Sequence, residues 1–220
     1  MHPPRQKFSD FRLLAMDMDS TLITIECIDE IADFTGKKTE VAAITAAAMR
    51  GEIDWPTSFR QRVALLKGLD ESVLQRVFDE RLRLSPGAEA LITAAKQAGM
   101  FTLLVSGGFT FFTDRLKARL DLDAAFSNQL EIIDGKLTGR ATGPLCDAEA
   151  KARHVREAAA RLGASREQIM VIGDGANDLK MMAEAGCSVA YYAKPVVQAQ
   201  ASIAINDGGL DTILSTFPPA

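Results

Sequence analysis

Two aspartates one residue apart, in Asp17-Met18-Asp19-Ser20-Thr21, follow directly on the mostly apolar run Phe11–Met16. A run of that kind reads as a buried strand. Carboxylates paired at its end are costly, because each opposes the ionisation of the other. A divalent cation relieves the repulsion, and one carboxylate is then free to act as nucleophile or as acid and base. The same five residues would also make an Asp/Ser/Thr turn capping a following helix. The rest of the chain has to decide between the two.

Three further polar motifs bear on that choice. Ser106-Gly107-Gly108 follows the apolar run Phe101–Val105 and precedes a helical pattern beginning near Phe109. A hydroxyl together with backbone N–H groups bared by glycine at a helix start makes a phosphate cradle. Lys151 falls in the first turn of a helix opened by Asp147. A cation is disfavoured at that end of a helix, which hints at an anionic partner. Gly173-Asp174-Gly175-Ala176-Asn177-Asp178 follows the strand Ile169–Ile172. It lacks the third glycine of a dinucleotide-binding loop, and its acidic residues would repel a pyrophosphate. Asp174 and Asp178 suit instead the ligation, or the orientation of ligands, of a hard cation such as Mg²⁺. Three strand ends thus offer carboxylates, a hydroxyl, exposed amides and a lysine to one edge of a sheet.

The elements that must position these groups are legible as alternation. Apolar runs at Phe11–Met16, Met100–Val105, Ile169–Ile172, Cys187–Ala190 and Ile203–Ile205 predict strands. Helical spacing over Gly87–Ala98, Phe109–Leu120, Ala148–Leu162, Asn177–Ala185 and Pro195–Ala201 predicts the helices between them. Such alternation implies an α/β fold, a Rossmann-like parallel sheet flanked by helices. Leu130–Thr138 differs, since two short alternating runs flank Asp134-Gly135 and predict a β-hairpin. From 26 to 84 the alternation stops. Helical pieces near 26–34, 38–49, 56–67 and 70–80 predict a helical cap inserted after the first strand, over the strands' carboxyl ends, where ligands of open α/β sheets bind. The expected division is a catalytic core of 1–25 and 85–220 with a cap of 26–84.

Bulk properties exclude several classes. A net charge of −4 gives no broad basic surface for nucleic acid or an anionic membrane. Three scattered cysteines form neither a disulfide framework nor a zinc spacing, and they fit a reducing cytoplasm. With only His2 and His154, a histidine metal site or a Ser-His-Asp triad is poorly supported. No apolar run reaches the ~18 residues of a membrane span, and the first residues lack a signal peptide's apolar region.

In this order, Asp17-Met-Asp-Ser-Thr-Leu, Ser106-Gly-Gly, Lys151 and Gly173-Asp-Gly-Ala-Asn-Asp resemble the haloacid dehalogenase superfamily of aspartate-nucleophile phosphatases. Glu26-Cys-Ile-Asp-Glu-Ile, Arg62-Val-Ala-Leu-Leu-Lys-Gly, Asp134-Gly-Lys-Leu-Thr-Gly and Ala193-Lys-Pro look like its phosphoserine phosphatases. The resemblance runs from about Leu13 to Asp211. It implies Mg²⁺-dependent hydrolysis of O-phosphoserine, the last step of serine biosynthesis, through an aspartyl phosphate on Asp17. Asp19 would be the acid–base residue. Mg²⁺ would be held by Asp17, the Asp19 main-chain carbonyl and Asp174. Ser106, Gly107 and Lys151 would bind the phosphate, with Asn177, Asp178 and Gly108 in support. Glu26 and Arg62 would read the substrate's ammonium and carboxylate, and Met49 and Trp55 would wall the pocket. The implied protein is a cytoplasmic monomer or homodimer acting on a small molecule. A signalling receiver domain would instead carry adjacent acidic residues after its first strand, with the phosphoacceptor after a later one. The spaced Asp17-x-Asp19 and the long helical insertion disagree with that. A phosphotransferase of the same superfamily stays open at this stage, because the acceptor is chosen by the shape of the cap.

Overall fold

The computed structural model describes residues 6–218, apart from the side chain of Met49. In chain order the elements begin with β1 (Leu13–Met16), α1 (Cys27–Asp33), α2 (Lys38–Met49), α3 (Trp55–Ala64) and α4 (Ser72–Arg76), which runs on as a wider turn over Val77–Arg81. There follow α5 (Ala88–Gln97), β2 (Phe101–Phe109), α6 (Thr110–Leu120), β3 (Ala124–Ile133), β4 (Lys136–Thr142) and α7 (Ala148–Leu162). The chain closes with β5 (Ile169–Gly173), α8 (Leu179–Ala183), β6 (Cys187–Tyr191), α9 (Pro195–Gln198), β7 (Ile203–Ile205) and α10 (Thr212–Ser215).

The strands form one seven-stranded sheet in the order β4-β3-β2-β1-β5-β6-β7, parallel throughout except for β3 with β4. Central strands are apolar on both faces, and successive side chains pack into different layers. Leu14, Met16, Leu104 and Ile172 join one core with α5, α6 and the helices between β1 and α5. Leu13, Ala15, Leu103 and Val171 join another with Ala152 and Val155 of α7 and Met181 and Met182 of α8. The β-hairpin forms at Asp134-Gly135, where both residues adopt positive φ (50° and 72°), as a two-residue turn matched to strand twist requires.

Helix α7 has the bounds its spacing predicts. Several others differ in their bounds, two of them beside the site. The helix expected over Asn177–Ala185 is split, because Ala176–Asp178 forms a separate 3₁₀ turn before α8. More consequentially, β2 does not end at Val105. It continues through Ser106-Gly107-Gly108 to Phe109, with its register against β3 shifting between Val105 and Phe109. The glycines therefore lie in a bulged strand end, and α6 starts only at Thr110. The long β3 supplies the pairing that keeps this stretch extended, and nothing local announces it.

The helical stretch between β1 and α5 is fastened at two places. Its entry and exit are bonded side by side: the Thr24 N–H donates to the Arg83 carbonyl (3.0 Å) and the Ser85 N–H to that of Leu22 (2.9 Å). Its far end is bonded to β4, with Gly68 N–H on the Leu137 carbonyl (2.8 Å) and Leu137 N–H on the Leu69 carbonyl (2.8 Å). The second contact covers an edge strand that would otherwise present open backbone groups.

Candidate active site

The ends of β1, β2 and β5 and the first turn of α7 meet at one point. The Asp17 N–H continues the ladder by donating to the Ile172 carbonyl (3.0 Å), which fixes the carboxylate where β1 leaves the sheet. Asp147 caps α7, its side chain accepting the Ala150 N–H at 2.9 Å. One turn in, Lys151 is 1% exposed, and its ammonium donates to Asp17 Oδ1 at 2.6 Å and Asp178 Oδ1 at 2.8 Å. This explains a buried cation at a helix start, since two carboxylates compensate both its burial and the dipole. Burial alone would push the lysine down, but the charges and hydrogen bonds of Asp17 and Asp178 raise it above the ordinary lysine range.

One ammonium does not balance the carboxylates present. Oxygens of Asp17, Asp174 and Asp178 lie within 4.8 Å of one another. Burial, and then the charge of Asp178, hold Asp17 well above the usual carboxylate range. The same causes, in the same order, raise Asp174 to about 7. Asp178 has little acceptor capacity left for a metal: Oδ1 takes Lys151, and Oδ2 accepts the N–H groups of Asp174 (3.2 Å) and Gly175 (3.0 Å). Gly173 permits that fold-back, since a Cβ there would lie 2.6 Å from Asp178 Oδ2. Asp17 and Asp174 remain as hard oxygen donors in an electron-rich site, a set that fits a cation of the Mg²⁺ kind. The side chain of Asp19 is not part of this cluster.

Asp19 belongs to the loop after β1, where Ser20 adopts φ 55°. Its Oδ1 accepts the Cys27 N–H at 3.2 Å. Burial, and then the neighbouring Glu26 charge, raise Asp19 to about 7. Gly108 passes directly against it, for a Cβ there would sit 2.9 Å from Asp19 Oδ2 and 3.0 Å from Ser106 Oγ. Ser106 is fully buried, and its Oγ accepts the Gly108 N–H at 2.8 Å.

These groups open on a cavity of about 570 Å³, and its other wall comes from the helical stretch after β1. That wall includes Glu26, Asp29, Trp55, Phe59 and Arg62, while Asp174, Asn177, Ser106 and Gly107 line the sheet side. Trp55 stacks on Phe59 (5.2 Å between centroids, 16° between planes) and comes close to Gly107. Glu26 Oε1 accepts the Ser20 hydroxyl at 2.7 Å, and burial lowers Arg62 from the ordinary arginine range, only partly offset by the charges of Asp29, Glu26 and Asp19. Most of the expected residues line this cavity, whereas Lys151 and Asp178 are buried beside Asp17 and do not. The side chain of Met49 lies outside the described residues.

Sequence reasoning does not single out Thr21, whose hydroxyl donates to Asp174 Oδ1 at 3.1 Å, nor Ser20 or Asp29. Ser20 and Thr21 sit in the first motif, so their location there was a usable signal. Asp29, in the first turn of α1, looks like any surface carboxylate.

The haloacid dehalogenase-like hydrolase family model matches residues 14–183. The phosphoserine phosphatase of Polaromonas sp. (strain JS666) is 58% identical over 216 residues, covering 96% of this chain and 92% of that protein. Two solved structures of phosphoserine phosphatase share 38% identity with a TM-score of 0.88, and each match covers 94% of this chain and 99% of theirs. One carries a phospho-aspartyl intermediate analogue and the other is bound to substrate.

Proposed function

The chain belongs to the haloacid dehalogenase-like hydrolases, and we propose that within them it works as a phosphoserine phosphatase, hydrolysing O-phosphoserine to serine and phosphate. The observation that carries this is a buried carboxylate, Asp17, held 2.6 Å from the Lys151 ammonium on a cavity whose other wall bears Glu26 and Arg62. Phosphate chemistry and amino-acid recognition are thus opposed across one small space. Residues 26–84 act as a cap on a core of 1–25 and 85–220. The backbone bonds that join the cap's entry to its exit support that division.

Asp17 attacks phosphorus and forms an aspartyl phosphate as the seryl oxygen–phosphorus bond breaks. Splitting the reaction this way replaces one difficult displacement by water with two easier steps. Asp19 protonates the departing seryl oxygen, for which a carboxyl raised to about 7 is well poised. It then takes a proton from the water that attacks the phosphoenzyme, releasing phosphate and restoring Asp17. Lys151, the Ser106 hydroxyl and the Gly107 N–H hold the phosphoryl oxygens, where charge is spread during transfer. Gly108 leaves space for Asp19, Asp178 orients Lys151, and Asn177 bonds near the phosphate. Mg²⁺ bound by Asp17, Asp174 and the Asp19 carbonyl would neutralise phosphate charge. Glu26 takes the substrate ammonium. Arg62 takes the carboxylate, to which its planar fork is matched. Trp55 closes the side of the pocket.

No helix among the described residues is long and apolar enough to cross a membrane. Cys27, Cys146 and Cys187 are free and buried, which supports a cytoplasmic setting. The test is phosphate release from a panel of phosphorylated metabolites, with Mg²⁺, with chelator, and with an added alcohol acceptor. Selective, Mg²⁺-dependent release from phosphoserine is the expected result. Preference for another ester, or transfer to the alcohol in place of release, would overturn the reading.

A further inference from the structure

We infer that Asn128, a residue of β3 that lies 18 to 21 positions from its partners in the sequence, is a positioning residue that fixes the Ser106-Gly107-Gly108 phosphate cradle. This rests on the phosphatase reading of the site. Asn128 is 1% exposed, in a strand position where an apolar side chain would be the ordinary occupant. Its Nδ2 donates to the carbonyls of Gly107 (2.8 Å) and Gly108 (3.3 Å), and its Oδ1 accepts the Cys146 N–H (2.8 Å). The two acceptors and one donor around it admit only one orientation of the amide.

The consequence follows from peptide planarity. The Gly107 carbonyl and the Gly108 N–H belong to one peptide unit and point in opposite directions. Drawing that carbonyl toward Asn128 aims the Gly108 N–H the other way, at Ser106 Oγ, which it meets at 2.8 Å. Ser106 Oγ, having accepted that bond, keeps its own proton to donate toward the cavity. The acceptor side of Asn128 reaches Cys146, which directly precedes the Asp147 cap of α7, the helix that carries Lys151. One buried amide therefore ties the hydroxyl and lysine halves of the cradle together across a sheet whose β2–β3 register breaks between Val105 and Phe109. Glycine bares the amides but cannot fix their direction, and Asn128 supplies the constraint the glycines lack.

The test compares wild type with Asn128→Ala and Asn128→Asp, using phosphoserine and an aryl phosphate as substrates and inorganic phosphate as inhibitor. The cradle holds the group common to both substrates. Asn128→Ala should therefore lower kcat for both by a similar factor, roughly ten- to a hundredfold. It should weaken phosphate inhibition and leave the preference between substrates unchanged. Asn128→Asp adds a pH readout that lost stability alone would not give. The protonated acid can donate to the Gly107 carbonyl, whereas the carboxylate cannot. The ratio of variant to wild-type kcat should therefore rise as pH falls from 8 to 5.5. The adjacent Cys146 thiol, pushed up to about 11 chiefly by burial, stays neutral across that range. In wild type, phosphate titration should also shift the Asn128 side-chain amide resonances, a reading that needs no variant. Unchanged kcat and phosphate inhibition, a ratio flat with pH, or unmoved resonances would overturn the assignment. Wild type that releases no phosphate from any ester would instead remove the phosphatase reading itself.

Discussion

Lys151 stands between two carboxylates with different tasks, and geometry separates them. Asp178 spends one oxygen on the ammonium and the other on two backbone N–H groups, so it is an anchor. Asp17 is tied to Lys151 through Oδ1 and opens on the cavity, as the proposed nucleophile must. Asp17→Asn should therefore abolish turnover and the covalent label left when the enzyme is quenched in acid during turnover of radiolabelled phosphoserine. Labelled protein recovered from the variant would place the nucleophile elsewhere. Across the cavity, Arg62 has no hydrogen bond to a carboxylate among the described residues; its Nε donates only to the Ser58 carbonyl, at 3.4 Å. Its charge is thus available to a ligand. Arg62→Ala would remove the proposed charge-assisted contact, worth about 1.5–3 kcal/mol. It should lower kcat/KM for phosphoserine by roughly ten- to a hundredfold and leave an aryl phosphate nearly untouched. Equal losses on both substrates would show that Arg62 does not read the carboxylate.

Helix α3 delivers Trp55, Phe59 and Arg62 to the cavity from one face, the spacing of residues three and four apart on a helix. Phe59, 2% exposed, is its seat: it stacks on Trp55 and lies 6.1 Å from the ring of Phe109 at the end of β2. Phe59→Ala should cost about 3–5 kcal/mol of stability by leaving a cavity. It should also raise KM for phosphoserine well before unfolding, because α3 loses its contact with the core. Urea unfolding and steady-state kinetics on the same preparation check both, and a destabilised variant with unchanged KM would separate α3 seating from binding. The same elements show what a sequence displays and what it withholds. Asp147 with the spacing of Ala148–Leu162 specifies α7 to the residue, because cap and periodicity are local signals. The strand character of Ser106-Gly107-Gly108 depends on β3, and Ser-Gly-Gly reads naturally as the turn it is not. Asn128 is invisible for the same reason: its partners lie 18 to 21 positions away, joined only when β2, β3 and the approach to α7 assemble.

At the scale of the whole molecule, the site is a concentration of negative charge buried where the sheet meets the helical stretch after β1, and folding has to accommodate it. Without a cation, Asp174 is raised to about 7 from the usual 3.8, by burial and then by Asp178, and Asp17 shifts in the same direction. A carboxyl whose folded-state pKa is raised contributes stability that is fully present below its unfolded value. That stability is lost as pH rises through the folded value. The metal-free protein should therefore lose this contribution between about pH 4 and pH 7. His154 works the other way, since burial lowers its pKa and the unfolded form holds the proton to higher pH than the folded one. The bare melting temperature thus mixes opposed slopes. The shift produced by Mg²⁺ isolates the acidic cluster, because the ion binds ionised carboxylates and competes with protons for them. At a concentration a hundredfold above Kd it should add about 2.7 kcal/mol at pH 8, or roughly 5–10 °C for a chain of this size. The increment should be markedly smaller at pH 5.5, where protons hold the carboxyls. Asp174→Asn should reduce the increment at pH 8 while leaving the His154 slope in place. Equal Mg²⁺ shifts at both pH values, or an undiminished shift in Asp174→Asn, would mean that the ion binds elsewhere. The buried charge would then be a burden on folding with no metal to relieve it.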